Sequence, residues 1–188
     1  MRILKISVIT LLVSAGLAVL PNRAAASDFE VSLGFSFNRS NYSDDNFSWN
    51  RRWGASVSYE LSSLTEIEFS FQDVVDRTSF AGYEDTKFHD QIFSVSWVQN
   101  LLSRNFAVQP YVKAGVGQLN RDAEGSYWYG GGPPSRVDSV TGVAAAGFRV
   151  FVTRTFAIRA EATSYLAGGS IVTWKDNAAV TFGISAKL

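Results

Sequence analysis

The sequence predicts an all-β fold, an eight-stranded antiparallel up-and-down β-barrel. Two observations predict it: side chains alternate between apolar and polar along eight separate runs, and the connections between these runs alternate between long and short. The 188 residues are enough for one such domain, and no linker, second domain or helical section interrupts the pattern.

The first 26 residues are expected to be a cleaved secretory signal. Arg2 and Lys5 precede an apolar run over residues 6–20, and three alanines at 24–26 form a small-residue cleavage site. The apolar run is shorter than the roughly 20 residues that a membrane-spanning helix needs. We therefore expect an exported barrel domain over residues 27–188.

The first four runs cover residues 29–38, 52–61, 66–72 and 92–98. In the first run every odd position is apolar and every even position is polar or glycine, which is the pattern of a strand with two different faces. The fourth run is less regular, because Ile92 and Val98 lie on its polar side. Among the eight runs, the alternation is therefore weakest here.

The last four runs cover residues 108–117, 144–152, 158–163 and 180–188. Pro110 lies near the start of its run, where a missing N–H group is tolerated. The long polar connections are predicted at residues 39–48, 74–87, 118–138 and 168–176, and the short connections at 62–64, 99–105 and 153–155.

The composition of the two faces indicates which one is inside. One face carries bulky aromatic and aliphatic residues, whereas the other is dominated by serine and glycine and carries five acidic and five basic residues. Charges removed from water need partners, and an eight-stranded barrel is just wide enough to be filled by its side chains. We predict an interior charge network of Glu30, Arg52, Glu60, Glu66, Glu68, Lys113, Arg149, Arg159, Glu161 and Lys187. The alternative is an inverted barrel, in which the charged face is exposed to water, as in a soluble lipocalin-like binder.

Three segments, together with the export signal and the eight runs, carry a family resemblance. They are residues 109–117, 157–162 and the final run 180–188. The chain resembles the bacterial outer-membrane β-barrel domain family, the small porin-like proteins similar to the OmpA membrane domain and OmpX. The resemblance implies a transmembrane barrel in the bacterial outer membrane, with periplasmic termini, short periplasmic turns and long extracellular loops. It also implies contact with outer-membrane lipid and lipopolysaccharide.

In that family the last strand is a signal to the barrel assembly machinery and usually ends in phenylalanine. The resemblance assigns this role here to Phe182, Ile184 and Leu188. Leu188 departs from the family pattern, since it keeps the apolar character but lacks the aromatic ring.

One predicted loop is rich in aromatic residues. Tyr127, Trp128 and Tyr129 precede three glycines, and this combination suits a contact surface for lipopolysaccharide, glycans or a host or surface ligand. An aromatic girdle at the membrane interface is the alternative interpretation.

The composition excludes several kinds of chemistry. Without cysteine and with only one histidine, thiolate sites and multi-histidine metal centres cannot form within one copy. A formal net charge of zero gives no basic surface for nucleic acid. His89 lies near Ser79, Asp85 and Asp90, but it lacks the His-x-Ser pair of lipid A deacylases. We predict no catalytic residue, metal or cofactor.

The leading hypothesis is therefore an integral outer-membrane protein with a structural or adhesin-like surface role and no enzymatic activity. Two alternatives remain open within this fold. One is a narrow porin or channel for hydrophobic solutes, and the other is an enzyme that modifies lipid A.

Overall fold

The computed structural model describes residues 29–43, 46–103, 106–127, 130–133, 136–167 and 178–188. It contains eight β-strands, which are β1 (Phe29–Asn41), β2 (Phe47–Ser62), β3 (Thr65–Phe80), β4 (Glu84–Asn100), β5 (Val108–Tyr127), β6 (Arg136–Phe151), β7 (Phe156–Ala167) and β8 (Ala178–Lys187). Within these described ranges, no helix is long and apolar enough to cross a membrane.

The strands form a closed barrel in which each strand pairs antiparallel with the next. The barrel closes where β8 pairs with β1, from Glu30 opposite Lys187 to Phe35 opposite Phe182. This confirms the predicted fold class. An even number of strands brings both chain ends to one end of the barrel, here named the terminal rim, and the opposite end is named the loop rim.

Several strands continue into regions that the sequence analysis assigned to loops. Strands β3, β4 and β5 have 16, 17 and 20 residues, whereas about 9 to 11 residues cross a bilayer. The prediction of loops over residues 74–87 and 118–138 was therefore wrong in extent, because only 81–83 and 128–135 lie between strands. In these segments the apolar alternation stops although the backbone pairing continues, as Val74 and Val75 show: they face opposite sides and are both buried.

The connections also differ from the predicted long and short sets. At the terminal rim, β4 and β5 are separated by residues 101–107, whereas β3 and β4 are separated at the loop rim by only three residues. The loop rim extends outward mainly through its long strands. The predicted loop at 168–176 lies outside the described residues.

The bulky apolar face points outward. Many large apolar side chains on all sides of the barrel are more than half exposed, among them Phe35, Phe93, Trp97 and Phe182. The fourth run keeps the expected register, since Ile92 and Val98 point inward and are 4% and 0% exposed. Such an outer surface matches lipid and would be unfavourable in water.

The closing ladder contains a glycine pair with little space. Gly34 and Gly183 lie opposite each other between β1 and β8. A Cβ atom on Gly183 would lie 2.1 Å from the backbone oxygen of Leu33, whereas the nearest atom to a Cβ on Gly34 would be 3.9 Å away. Only one of these two equivalent-looking positions therefore excludes a side chain.

We expect Gly183→Ala to lower the free energy of unfolding by about 1–3 kcal/mol, because the backbone of β1 must move away from the added methyl group. Urea unfolding of the refolded protein in lipid bilayers measures this change. Gly34→Ala is the matched control and is expected to stay within about 0.5 kcal/mol of the wild type. Equal effects of the two substitutions would contradict the assignment of the steric constraint to Gly183.

Candidate functional site

A ring of four charged side chains lies in the middle of the barrel. The Nζ atom of Lys113 donates to Glu68 Oε1 at 2.9 Å and to Glu161 Oε1 at 2.7 Å. Arg159 Nη1 donates to Glu68 Oε2 at 2.8 Å, and its Nη2 donates to Glu161 Oε2. We name these four residues the central ring: Glu68, Lys113, Arg159 and Glu161. All four side chains are buried. Two acids and two bases thus neutralise each other away from water.

Tyr111 completes the central ring and was not among the predicted site residues. Its hydroxyl donates to Glu161 Oε2 at 2.7 Å and accepts from Arg159 Nε at 2.6 Å. The guanidinium carbons of Arg149 and Arg159 both pack against its ring, 4.9 and 5.0 Å from the ring centre. The sequence does hold one signal for it, since Tyr111 is a bulky hydroxyl-bearing residue on the otherwise small and polar face of its run. The structure shows how it fits, because Tyr111 lies opposite Gly147, which has no side chain.

A second ionic group lies closer to the terminal rim. Arg149 forms a bidentate ion pair with Glu66, in which Nη1 donates to Oε1 at 2.8 Å and Nη2 donates to Oε2 at 2.9 Å. Its Nε lies 3.1 Å from Glu30 Oε1. Asn100 Nδ2 also donates to Glu66 Oε1 at 2.8 Å. Lys187 Nζ lies 3.9 Å from Glu30 Oε2. We name Glu30, Glu66, Asn100, Arg149 and Lys187 the rim cluster.

These two groups contain eight of the ten charged residues proposed from the sequence. The structure places the other two elsewhere. Glu60 is half-buried near the terminal rim, opposite Glu66 in the ladder between β2 and β3. Arg52 lies nearer the loop rim, with its guanidinium carbon 5.3 Å from the centre of the Tyr165 ring.

An apolar layer separates the central ring from the loop rim. It consists of the buried side chains of Val74, Ile92, Leu119, Val143 and Tyr165. The free space beside the central ring is only about 50 Å³, which is room for a few water molecules. The interior is therefore filled by an ionic layer and an apolar layer at successive levels.

A wider cavity of about 730 Å³, named the vestibule, lies on the loop-rim side of this layer. Arg121 donates from Nε and Nη2 to the two carboxylate oxygens of Asp90, both at 2.7 Å. Asn50 Nδ2 donates to Asp76 Oδ2 at 3.2 Å. Sequence reasoning missed Asp76 and Arg121 because it assigned them to loops, where a side chain has no predictable direction. It missed Asp90 because that residue precedes the fourth run of alternating side chains.

His89 lies on the outer face of the barrel, within β4. Its Nε2 is 2.7 Å from Asp73 Oδ2, and Asp73 Oδ1 accepts from Trp53 Nε1 at 3.1 Å. Asp85 and Asp90, which flank His89 in the sequence, have other partners, because Asp90 points inward to Arg121 and Asp85 pairs with Arg77. Five polar side chains lie together on this part of the outer face, and we name them the outer polar row: Arg51, Asp73, Arg77, Lys87 and His89.

The remaining proposed residues that the structure describes lie at the end of β5 and in or directly after β8. Tyr127 ends β5 opposite Glu84, while Trp128 and Tyr129 lie outside the described residues. Phe182 and Ile184 are exposed on the outer face of β8, and the backbone N–H of Leu188 donates to the carbonyl of Phe29 at 3.1 Å. In the described part of the chain, no three histidine or acidic side chains are grouped as metal ligands.

This closed barrel with an apolar outer surface matches a known protein family. The family model described as outer membrane protein beta-barrel domain matches residues 9–187. The chain belongs to this family. Its place is the bacterial outer membrane, and the soluble alternative is set aside. The expected signal cleavage after residue 26 remains a prediction, because residues 1–28 lie outside the described ranges.

Solved structures of other outer-membrane proteins share the fold. The N-terminal barrel domain of Pseudomonas aeruginosa OprF has a TM-score of 0.55 at 14% identity, covering 85% of this chain and 97% of that one. Neisserial surface protein A gives 0.55 at 16%, covering 87% and 99%. Ail, the attachment invasion locus protein of Yersinia pestis, gives 0.53 at 16%, covering 87% and 100%. No curated protein matches.

We expect Arg149→Met to lower the free energy of unfolding by about 3–5 kcal/mol, because Glu30 and Glu66 keep their buried charges and lose their main partner. Urea unfolding in lipid bilayers measures the loss. Arg136→Met removes an exposed arginine of the same barrel and is expected to change stability by less than about 1 kcal/mol. A loss below about 1 kcal/mol for Arg149→Met would show that the rim cluster contributes little to stability.

Proposed function

We propose that this outer-membrane barrel has a structural and surface-interaction role, and that it neither forms an open pore nor acts as an enzyme. The observation that carries the proposal is the contrast between its two halves. The interior is filled from the rim cluster to the apolar layer, whereas the strands project well beyond the membrane span at the loop rim.

The filled interior argues against free passage of solutes. At the level of the central ring, every charged side chain is buried and bonded to a partner of opposite charge. An ion that crossed this level would have to separate these pairs in a region with little water, and breaking a buried pair costs several kcal/mol. The buried ring of Tyr111 packs against both Arg149 and Arg159 at this level and takes up further space.

The projecting strands supply a rigid surface. Strands β3, β4 and β5 exceed the length needed to cross the bilayer by about 6 to 10 residues, or roughly 20–30 Å of extended chain. The β4–β5 ladder is paired without interruption from Glu84 opposite Tyr127 to Asn100 opposite Tyr111. A continuous sheet of this kind holds side chains at fixed positions, which suits contact with a ligand at the cell surface.

We expect the wild-type protein to give no steady conductance in planar lipid bilayers, because the central ring and Tyr111 close the interior. A porin of known conductance, inserted in the same bilayers, is the positive control. A migration shift between boiled and unboiled samples on gels verifies that the protein tested is folded.

Two results would overturn the proposal. A steady current proportional to voltage would favour the narrow-channel alternative. A difference between the lipid A mass spectra of cells that express the wild type and cells that express His89→Ala would favour an enzyme.

We further propose that the outer polar row contacts the phosphate groups of lipopolysaccharide. The row begins where the outward aromatic packing of Trp53, Phe71 and Phe93 ends, with ring centres 5.5 and 4.8 Å apart. Aromatic residues of this kind mark the membrane interface. Just beyond them, the side chains of Arg51, Arg77 and Lys87 are each 42–48% exposed.

We expect lipopolysaccharide to raise the thermal unfolding midpoint of the wild type, and expect this increase to be lost in the triple variant Arg51→Gln, Arg77→Gln and Lys87→Gln. The temperature at which the gel-migration shift disappears, compared between liposomes with and without lipopolysaccharide, measures the effect. Arg136→Gln is the control. An equal increase in the triple variant would contradict a role of this row.

Recognition by the barrel assembly machinery is a proposal that rests on Phe182, Ile184 and Leu188. The two β8 side chains are exposed on the outer face, where another protein can reach them during insertion. We expect Leu188→Asp to reduce recovery in the outer membrane of cells, and Leu188→Phe to retain it. Equal recovery of both variants would remove Leu188 from the signal.

A further inference from the structure

The vestibule contains a buried arginine whose donors are not all used. Arg52 projects inward from β2 and is only 6% exposed. Its Nε and Nη1 atoms have no hydrogen-bond partner in the part of the chain that the structure describes. One face of the guanidinium packs on the ring of Tyr165, which belongs to the apolar layer. Arg52 therefore lines the vestibule just above that layer.

The other charged groups of the vestibule already have partners. Both carboxylate oxygens of Asp90 accept hydrogen bonds from Arg121, and Asp76 accepts one from Asn50. Asp76 and Asp90 are the acids that face Arg52 and favour its charge through space, but neither forms a hydrogen bond with it. A buried cation with unused donors is unfavourable unless an acceptor reaches it.

The vestibule has room for such an acceptor. Its volume of about 730 Å³ lies within the range of small-molecule sites. Its walls carry hydroxyl and amide groups from Ser36, Asn38, Ser40, Ser48, Asn50 and Thr78. A guanidinium group has two donor edges that fit the oxygens of a carboxylate or a phosphate, and the unused Nε and Nη1 atoms of Arg52 lie one on each edge.

We propose that the vestibule binds a small solute bearing a carboxylate or phosphate group, with Arg52 as the anion-binding residue. The apolar layer and the central ring close the barrel beneath this site, so the solute enters and leaves through the loop rim. The site is independent of the proposed surface role, which does not require any ligand inside the barrel.

The test is a titration of the full chain, folded in a maltoside detergent that has neither phosphate nor carboxylate. Inorganic phosphate and acetate are added separately, with sodium chloride at matched ionic strength as the reference. Backbone amide signals followed by NMR report binding. We expect saturable shifts at residues 36, 52 and 74, and the probe that binds more tightly identifies the anionic group that the site prefers.

Two variants locate the binding residue. Arg52→Gln is expected to weaken binding by about tenfold or more, which corresponds to about 1.4 kcal/mol. Arg39→Gln is the matched control, since Arg39 is exposed and lies outside the vestibule, and it is expected to bind as the wild type does. Arg52→Lys keeps the positive charge but lacks the donor edges of a guanidinium. Its affinity is expected to lie between those of the wild type and Arg52→Gln.

Three results would overturn the proposal. The first is an absence of saturable shifts in the wild type with both probes, and the second is an unchanged affinity in Arg52→Gln. The third is a wild-type response confined to exposed residues such as 39, 77 and 87. Because the location of the shifts is measured on the wild type, the proposal stays testable even if Arg52→Gln does not fold.

Discussion

Closure of the ladder between β1 and β8 is the constraint on which the rest of the molecule depends. In lipid, an unpaired strand edge would leave a row of backbone groups without water or any other partner. Pairing from Glu30 opposite Lys187 to Phe35 opposite Phe182 removes that edge. The contact is close enough to require glycine at position 183, where β1 backbone occupies the space of a side chain. Closure then fixes which residues share the interior.

The interior is polar because the outer surface must be apolar. A soluble protein hides its apolar side chains, whereas this barrel exposes them to lipid and encloses its charges. The enclosed charges are stable only as mutually satisfied groups, which explains why acids and bases meet in the central ring and the rim cluster. These groups and the apolar layer fill the interior on the side of the terminal rim. The vestibule and the projecting strands at the loop rim are then the surfaces open to other molecules.

The alternation of side chains predicted the outer face correctly even in the irregular fourth strand, where Ile92 and Val98 point inward as its register requires. It failed beyond the membrane span. There, lipid no longer demands an apolar outer face, so Asp73, Val75 and His89 share a side of the sheet and the period of two disappears from the hydrophobicity. Backbone pairing continues without that signal, and the vestibule and outer polar row were therefore not predicted.

The sequence by itself determined the number of strands, which side chains of the membrane span face inward, and therefore most of the charges enclosed there, because each depends only on the local alternation of side chains along one strand. Only the tertiary structure decided which charges meet. Arg149 pairs with Glu66, 83 residues away, and Arg159 with Glu68, 91 residues away. These pairs depend on the stagger between strands around the closed barrel, which no single strand encodes. The same stagger brings Arg52 to the vestibule and away from the central ring.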